Sequence, residues 1–106
     1  MPKYLLEVSY TLEGVRGVVA KGGNARRAAA QAAAESAGGT LEVFYFAFGG
    51  SDVLTIADLP DNEAAAALAM AVTAGGGATV STVVLLSPEE IDRATQKAVA
   101  YSPPGS

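Results

Sequence analysis

The sequence predicts an α+β fold in the order β-α-β-β-α-β, closed by a C-terminal helix, and three observations carry that prediction. Apolar residues alternate with period two in four short runs. Alanine-rich stretches preceded by capping residues lie between them. Glycine pairs or triplets at 22–23, 38–39, 49–50 and 75–77 supply the stops. Connection rules then fold the chain as a four-stranded antiparallel sheet of order 4-1-3-2, with both main helices on one face, the ferredoxin-like arrangement.

Lys3–Tyr10 is the first expected strand, with Tyr4, Leu6, Val8 and Tyr10 on one face and Lys3, Leu5, Glu7 and Ser9 on the other. Thr11 can cap a short helical segment over Leu12–Ala20. After Gly22-Gly23, Asn24 can cap a longer helix to about Ala37. Arg27, Gln31 and Glu35 mark its wet face by their spacing of four, and Ala25, Ala28, Ala29, Ala32 and Ala33 its dry one. Gly38-Gly39 ends that helix.

Thr40–Phe48 reads as a strand with Phe44, Phe46 and Phe48 on one face and Leu41, Val43 and Tyr45 on the other. Gly49-Gly50-Ser51 makes the hairpin connection into a third strand, Asp52–Asp58. Pro60-Asp61 stops it and opens a helix from Asn62 to about Ala74, and Ala78–Leu86 is the fourth strand. Ser87-Pro88-Glu89-Glu90 has the composition of a capping box with proline in the first turn, so a last helix should run to roughly Ala100. Residues 1–101 then form a single domain, and 102–106 a disordered tail.

At 106 residues the chain suits one core and no more. Seven Lys and Arg against 11 Asp and Glu give a net charge of −4. That balance lacks the basic footprint that nucleic acid or an anionic membrane requires. The absence of cysteine and histidine excludes disulfides, thiol nucleophiles, Cys- and His-ligated metals and the commonest general base. No cofactor or metal is expected. The start Met1-Pro2-Lys3-Tyr4-Leu5-Leu6-Glu7 meets an acid before any long apolar region, and Ala64–Ala74 is too short to span a bilayer. A cytoplasmic location is the expectation.

Two features predict self-association into a dimer or higher oligomer. The second and fourth strands are apolar on both faces, and the helix at Ala64–Val72 is apolar nearly all round. Two-fold pairing of sheet faces would cover the surplus.

Candidate chemistry is sparse. Lys21, Arg26 and Arg27 flank Gly22-Gly23-Asn24 at a helix start, where free amides and cations can hold a carboxylate or phosphate. A plain solvated helix start is the simpler reading. Asp52, just after the hairpin, either accepts turn amides or serves as a base at a pocket mouth. Tyr10 is a second candidate for proton handling. Glu89, Glu90 and Asp92 lack a cation-loop spacing and fit helix N-terminal complementarity better.

The run Glu42–Val53, with Ile56-Ala57-Asp58-Leu59-Pro60-Asp61-Asn62, resembles the GYD-domain family. Tyr4–Thr11 and Leu85–Glu90 agree with it, so the resemblance spans about residues 3–93. The family's glycine and aspartate match Gly49 and Asp52, while Ser51 stands where its tyrosine would be. The resemblance implies a dimeric α+β-barrel type of fold and an oligomer, and it implies no activity. In such barrels the space between sheet and helices commonly holds a small apolar ligand, so Tyr10 and Phe46 join Lys21 and Arg26 as candidate ligand-binding residues. Two functional readings follow. One is a non-catalytic oligomer that binds a small anionic or apolar ligand or a protein partner. The other is a cofactor-independent enzyme acting on a small aromatic or carbonyl compound, with Asp52 or Tyr10 moving protons and Lys21 or Arg26 holding the substrate's anionic group.

Overall fold

A computed structural model describes residues 1–105. Its elements are β1 Lys3–Tyr10, α1 Leu12–Lys21, α2 Gly23–Ser36, β2 Thr40–Phe46, β3 Val53–Asp58, α3 Asn62–Ala74, β4 Ala78–Leu85 and α4 Pro88–Thr95. All pairings are antiparallel, and the sheet order β2-β3-β1-β4 is the expected order read from the other edge. No helix among the described residues is long and apolar enough to cross a membrane.

The core follows from the alternation of β1. Tyr4 and Leu6 pair with Ala57 and Thr55 on β3 and point toward the helices. There they join Leu59 and the α3 residues Ala65 and Leu68 in one buried cluster. Burying a side chain of this size contributes about 1.5–3 kcal/mol. The Tyr4 hydroxyl donates to Asn62 Oδ1 at 2.7 Å, which seats the start of α3, and Asp61 caps that helix by accepting from the Ala64 amide at 2.8 Å.

Several expected details shift. Asn24 is not the cap of α2. The helix begins at Gly23, preceded by Gly22 at φ +86°, a conformation open to glycine and costly for other residues. The inward stripe of α2 is also rotated from the expected one: Arg26, Ala30, Ala33, Ala34 and Ala37 are the more buried positions, whereas Ala25, Ala28, Ala29 and Ala32 are exposed. A helix of alanines has no size contrast to fix its phase, so packing decides it. At the far end Gly38, at φ +90°, donates to the Glu35 carbonyl and Gly39 to that of Ala34, forming a Schellman closure.

β2 carries a bulge at Glu42, because Leu41 pairs with Ala57 and Val43 with the adjacent Ile56. Leu41 therefore shares the helix-facing side with Phe44 instead of lying opposite it. The strand also stops at Phe46, leaving Phe48 fully exposed in the connection. Asp52 precedes β3, Leu86 follows β4, and α4 ends at Thr95, short of Ala100. Residues 102–105 carry no helix or strand, and Ser106, the end of the expected tail, lies outside the described residues.

The capping box of α4 is present as read. Ser87 Oγ accepts from the Glu90 amide at 3.1 Å, and Glu90 Oε1 accepts from the Ser87 amide at 3.0 Å. That second bond holds the Glu90 carboxyl below its ordinary value of 4.5, with the Ser87 hydroxyl and Arg93 adding to the effect against some desolvation. A lowered folded-state value means a contribution present above the unfolded value and lost as pH falls through the folded one. Because α4 buries no residue, this loss should appear as local fraying. Amide exchange in Glu89–Thr95 is expected to quicken as pH falls below the ordinary Glu90 value, after correction for the intrinsic rates. Glu90→Gln, which keeps an acceptor without the titration, should flatten that dependence.

Candidate functional site

Beyond Arg26 the inward stripe of α2 consists of alanines, whose small side chains leave space above the sheet unfilled. The result is an apolar cavity of about 110 Å³ between α2, α3 and the sheet. Leu6, Val8 and Val53 form its floor, Phe44 one side, Ala33 and Leu68 the roof. Polar side chains enter the wall at three places, Tyr10, Arg26 and Thr55. Thr55 is already occupied, since its hydroxyl donates to the Val43 carbonyl at 2.6 Å. Tyr10 and Arg26 are the wall residues whose side chains have no hydrogen-bond partner among the described residues.

Arg26 is the unusual member. Its Nε is fully buried and has no hydrogen-bond partner among the described residues, and none of the ion pairs there includes it. An unsatisfied buried donor of this kind costs roughly 1–3 kcal/mol. Arginine remains charged under all ordinary conditions, so the position carries a permanent cation facing an apolar space.

Tyr10 and Arg26 also line a second space, an open cleft of about 610 Å³ beside α1. Glu13 and Lys21 border it from α1, with Val72 and Gly75 across. Tyr10, Arg26, Val72 and Ala78 line both spaces and form the partition between the smaller apolar one and the wider cleft, and of these four Tyr10 and Arg26 are the polar members. The cleft is shaped by the approach of α1 to the α3–β4 turn. Thr11 donates from its amide to the Gly77 carbonyl at 3.0 Å and from its hydroxyl to that of Gly76 at 3.0 Å. A Cβ on Gly14 would lie only 1.9 Å from the Gly77 oxygen, so no larger residue fits there.

The sequence-level candidates therefore divide. Tyr10, Lys21 and Arg26 meet at one place. Arg27, about 100° further round α2, is exposed and lines neither space; it borders a shallow depression over β2 with Phe44, Tyr45 and Phe46. Phe46 packs over Gly23 and stands edge-on to Phe44, with centroids 5.4 Å apart and planes at 85°. Phe44, one strand alternation earlier, is the aromatic of the cavity wall, and both point to the helix side; only the position of α2 distinguishes them.

Asp52 does not line either space. Its Oδ2 accepts from the Tyr10 amide at 2.7 Å, its own amide donates to the Val8 carbonyl at 2.8 Å, and its carbonyl accepts from Ala47 at 2.9 Å. These bonds tie the end of β1 to the hairpin. They employ the carboxylate as an acceptor of a backbone amide, the simpler of its two expected roles.

No curated protein and no solved structure matches the chain. The family model described as GYD domain matches residues 4–95, a span that takes in the sheet, the cavity, the cleft and α4. The chain belongs to the GYD-domain family.

Proposed function

We propose that this GYD-domain protein is a homo-oligomeric module that binds a small ligand in the cavity between sheet and helices, without transforming it. The observation that carries the reading is the wall of that cavity: apolar apart from Thr55, whose hydroxyl is bonded to the Val43 carbonyl, and from Arg26 and Tyr10, whose side chains have no hydrogen-bond partner among the described residues. Small-molecule sites have this composition, an apolar lining with a few convergent polar groups. Binding is favoured over turnover because the Asp52 carboxylate is engaged with the backbone of β1, and that of Glu13 stands exposed at the border of the cleft and not in the cavity.

The oligomer is supported by the face of the sheet turned away from the helices. Val43, Ile56, Leu5 and Val83 are cross-strand neighbours in turn, so an apolar row crosses the whole sheet on that side. Tyr45 and Leu54 extend it, and both are exposed. Lys3 with Asp58 and Glu42 forms a polar border at one end; its ammonium is held above the usual value by hydrogen bonds to Glu42 first and Asp58 second. An apolar centre with a polar rim is the composition of an association surface.

The cavity is tested with a neutral probe, 3-methylbutan-1-ol, titrated against labelled protein by amide NMR. Shifts are expected at Ala33, Phe44, Val53 and Leu68. Ala30→Leu should fill the space, abolish those shifts and raise stability by about 1 kcal/mol, as cavity-filling changes commonly do. No saturable shift at millimolar alcohol, or the same shifts in Ala30→Leu, would overturn the reading.

A further inference from the structure

We infer that the ligand is a small monocarboxylate, its carboxylate held by Arg26 at the partition and its short branched or cyclic apolar part inside the cavity. This rests on the cavity being a ligand site, and three observations go beyond that reading. The first is the buried Arg26 Nε without a partner among the described residues. No partner among the described residues holds the side chain, which lines both spaces, so the terminal N–H groups of its guanidinium are the ones that can take a carboxylate through charge-assisted bonds.

The second observation is charge. Arg26 and Lys21 bring two cations to the cleft and Glu13 one carboxylate, which leaves one positive charge in excess. A single negative charge matches that balance, whereas a phosphate near its second ionisation would carry up to two and meet Glu13 as well. Lys21 and Glu13 are both exposed, which places them as a solvent-side border and Arg26 as the inner contact.

The third is size. An apolar protein cavity of roughly 150 Å³ takes a benzene molecule. At about 110 Å³, this one suits an apolar group of about four or five carbons, or a single small ring fitted tightly. Long-chain fatty acids and fused aromatics are too large for it. Tyr10, shared by both spaces, sits where the apolar part of such a ligand meets its carboxylate.

The test compares 3-methylbutanoate with its neutral counterpart 3-methylbutan-1-ol at neutral pH, by NMR titration and calorimetry on the full chain. The carboxylate is expected to bind at least tenfold more tightly. Arg26→Met, which keeps much of the side chain's bulk, should remove that advantage while the alcohol still binds. Lys21→Met should weaken the carboxylate only about twofold to threefold, and added salt should do the same, as expected of a screened outer charge. If the alcohol binds and the carboxylate binds no better, or if Arg26→Met leaves the difference intact, the carboxylate assignment is wrong and the cavity reading stands. If neither probe binds wild type, both are wrong.

Discussion

Gly39→Ala is expected to remove a large share of the stability of this domain, with a loss of about 3 kcal/mol or more. Gly39 is buried where α2 turns into β2, and a Cβ built on it would lie 1.9 Å from the Asp58 carbonyl oxygen and 3.0 Å from a Leu59 methyl. A flexible side chain could move aside; a carbonyl inside a sheet ladder cannot. Thr40, the next residue, is paired with Asp58, so the clash sits on the first rung of the β2–β3 ladder. Relieving it means opening that rung or pushing Leu59, which is fully buried, out of its place in the core. Overpacking alone costs typically 1–3 kcal/mol, and the lost pairing adds to it. Small domains have only about 5–15 kcal/mol in hand. The neighbouring Gly38→Ala supplies the comparison. Gly38 has φ +90°, with its nearest neighbour a ring carbon of Pro60 at 3.2 Å, so its cost is the left-handed backbone penalty of about 1–2 kcal/mol. Urea unfolding of the two variants should give midpoints in the order wild type, Gly38→Ala, Gly39→Ala. The reverse order would mean that backbone conformation, not the close approach of α2 to β3, governs this corner.

What the sequence made legible, and what it did not, has a physical pattern. Strand periodicity assigned the facing of β1 because Tyr4, Leu6 and Val8 contrast strongly with Lys3, Glu7 and Ser9. The Ser87–Glu90 box was readable because all its partners are local. The bulge at Glu42 was not, since two residues opposing one is a property of the pair of strands and leaves no mark on either alone. The phase of α2 was hidden for a different reason. Its alanines differ little in what they contribute to either side, so spacing placed Arg26 at a helix start without showing that it faces inward and Arg27 away. The glycine break pairs Lys21 with Arg26 in the sequence, whereas Tyr10 joins them only through the family resemblance; in the fold all three line the cleft. The cavity that Tyr10 and Arg26 border depends on the absence of side-chain volume, which a sequence reports only once the packing is known.

Ile56→Glu is expected to dissociate the proposed oligomer while leaving the protomer folded. Ile56 lies on β3, an interior strand, between Val43 on one side and Leu5 on the other, facing away from the helices. In a two-fold sheet-to-sheet pairing, the middle of that row meets its own copy or a near neighbour of it. A carboxylate there would be buried against apolar side chains without a partner, and each copy would bring one. Burying an unpaired polar group costs several kcal/mol, and about 2.7 kcal/mol is already a hundredfold in the association constant. Sedimentation velocity at micromolar protein should therefore show wild type as an oligomer and Ile56→Glu as a monomer, with unchanged far-UV circular dichroism. Met70→Glu is the control, because Met70 is 65% exposed on the outer side of α3. It should leave the assembly intact if the open sheet face is the interface. Dissociation by Met70→Glu but not by Ile56→Glu would move the interface to the helical side, and a monomeric wild type would remove it altogether. The distinction bears on the ligand site, since α3 also borders both the cavity and the cleft. Association through the sheet leaves both open to a small molecule, whereas association through the outer face of α3 would couple subunit contacts to the helix that roofs the cavity.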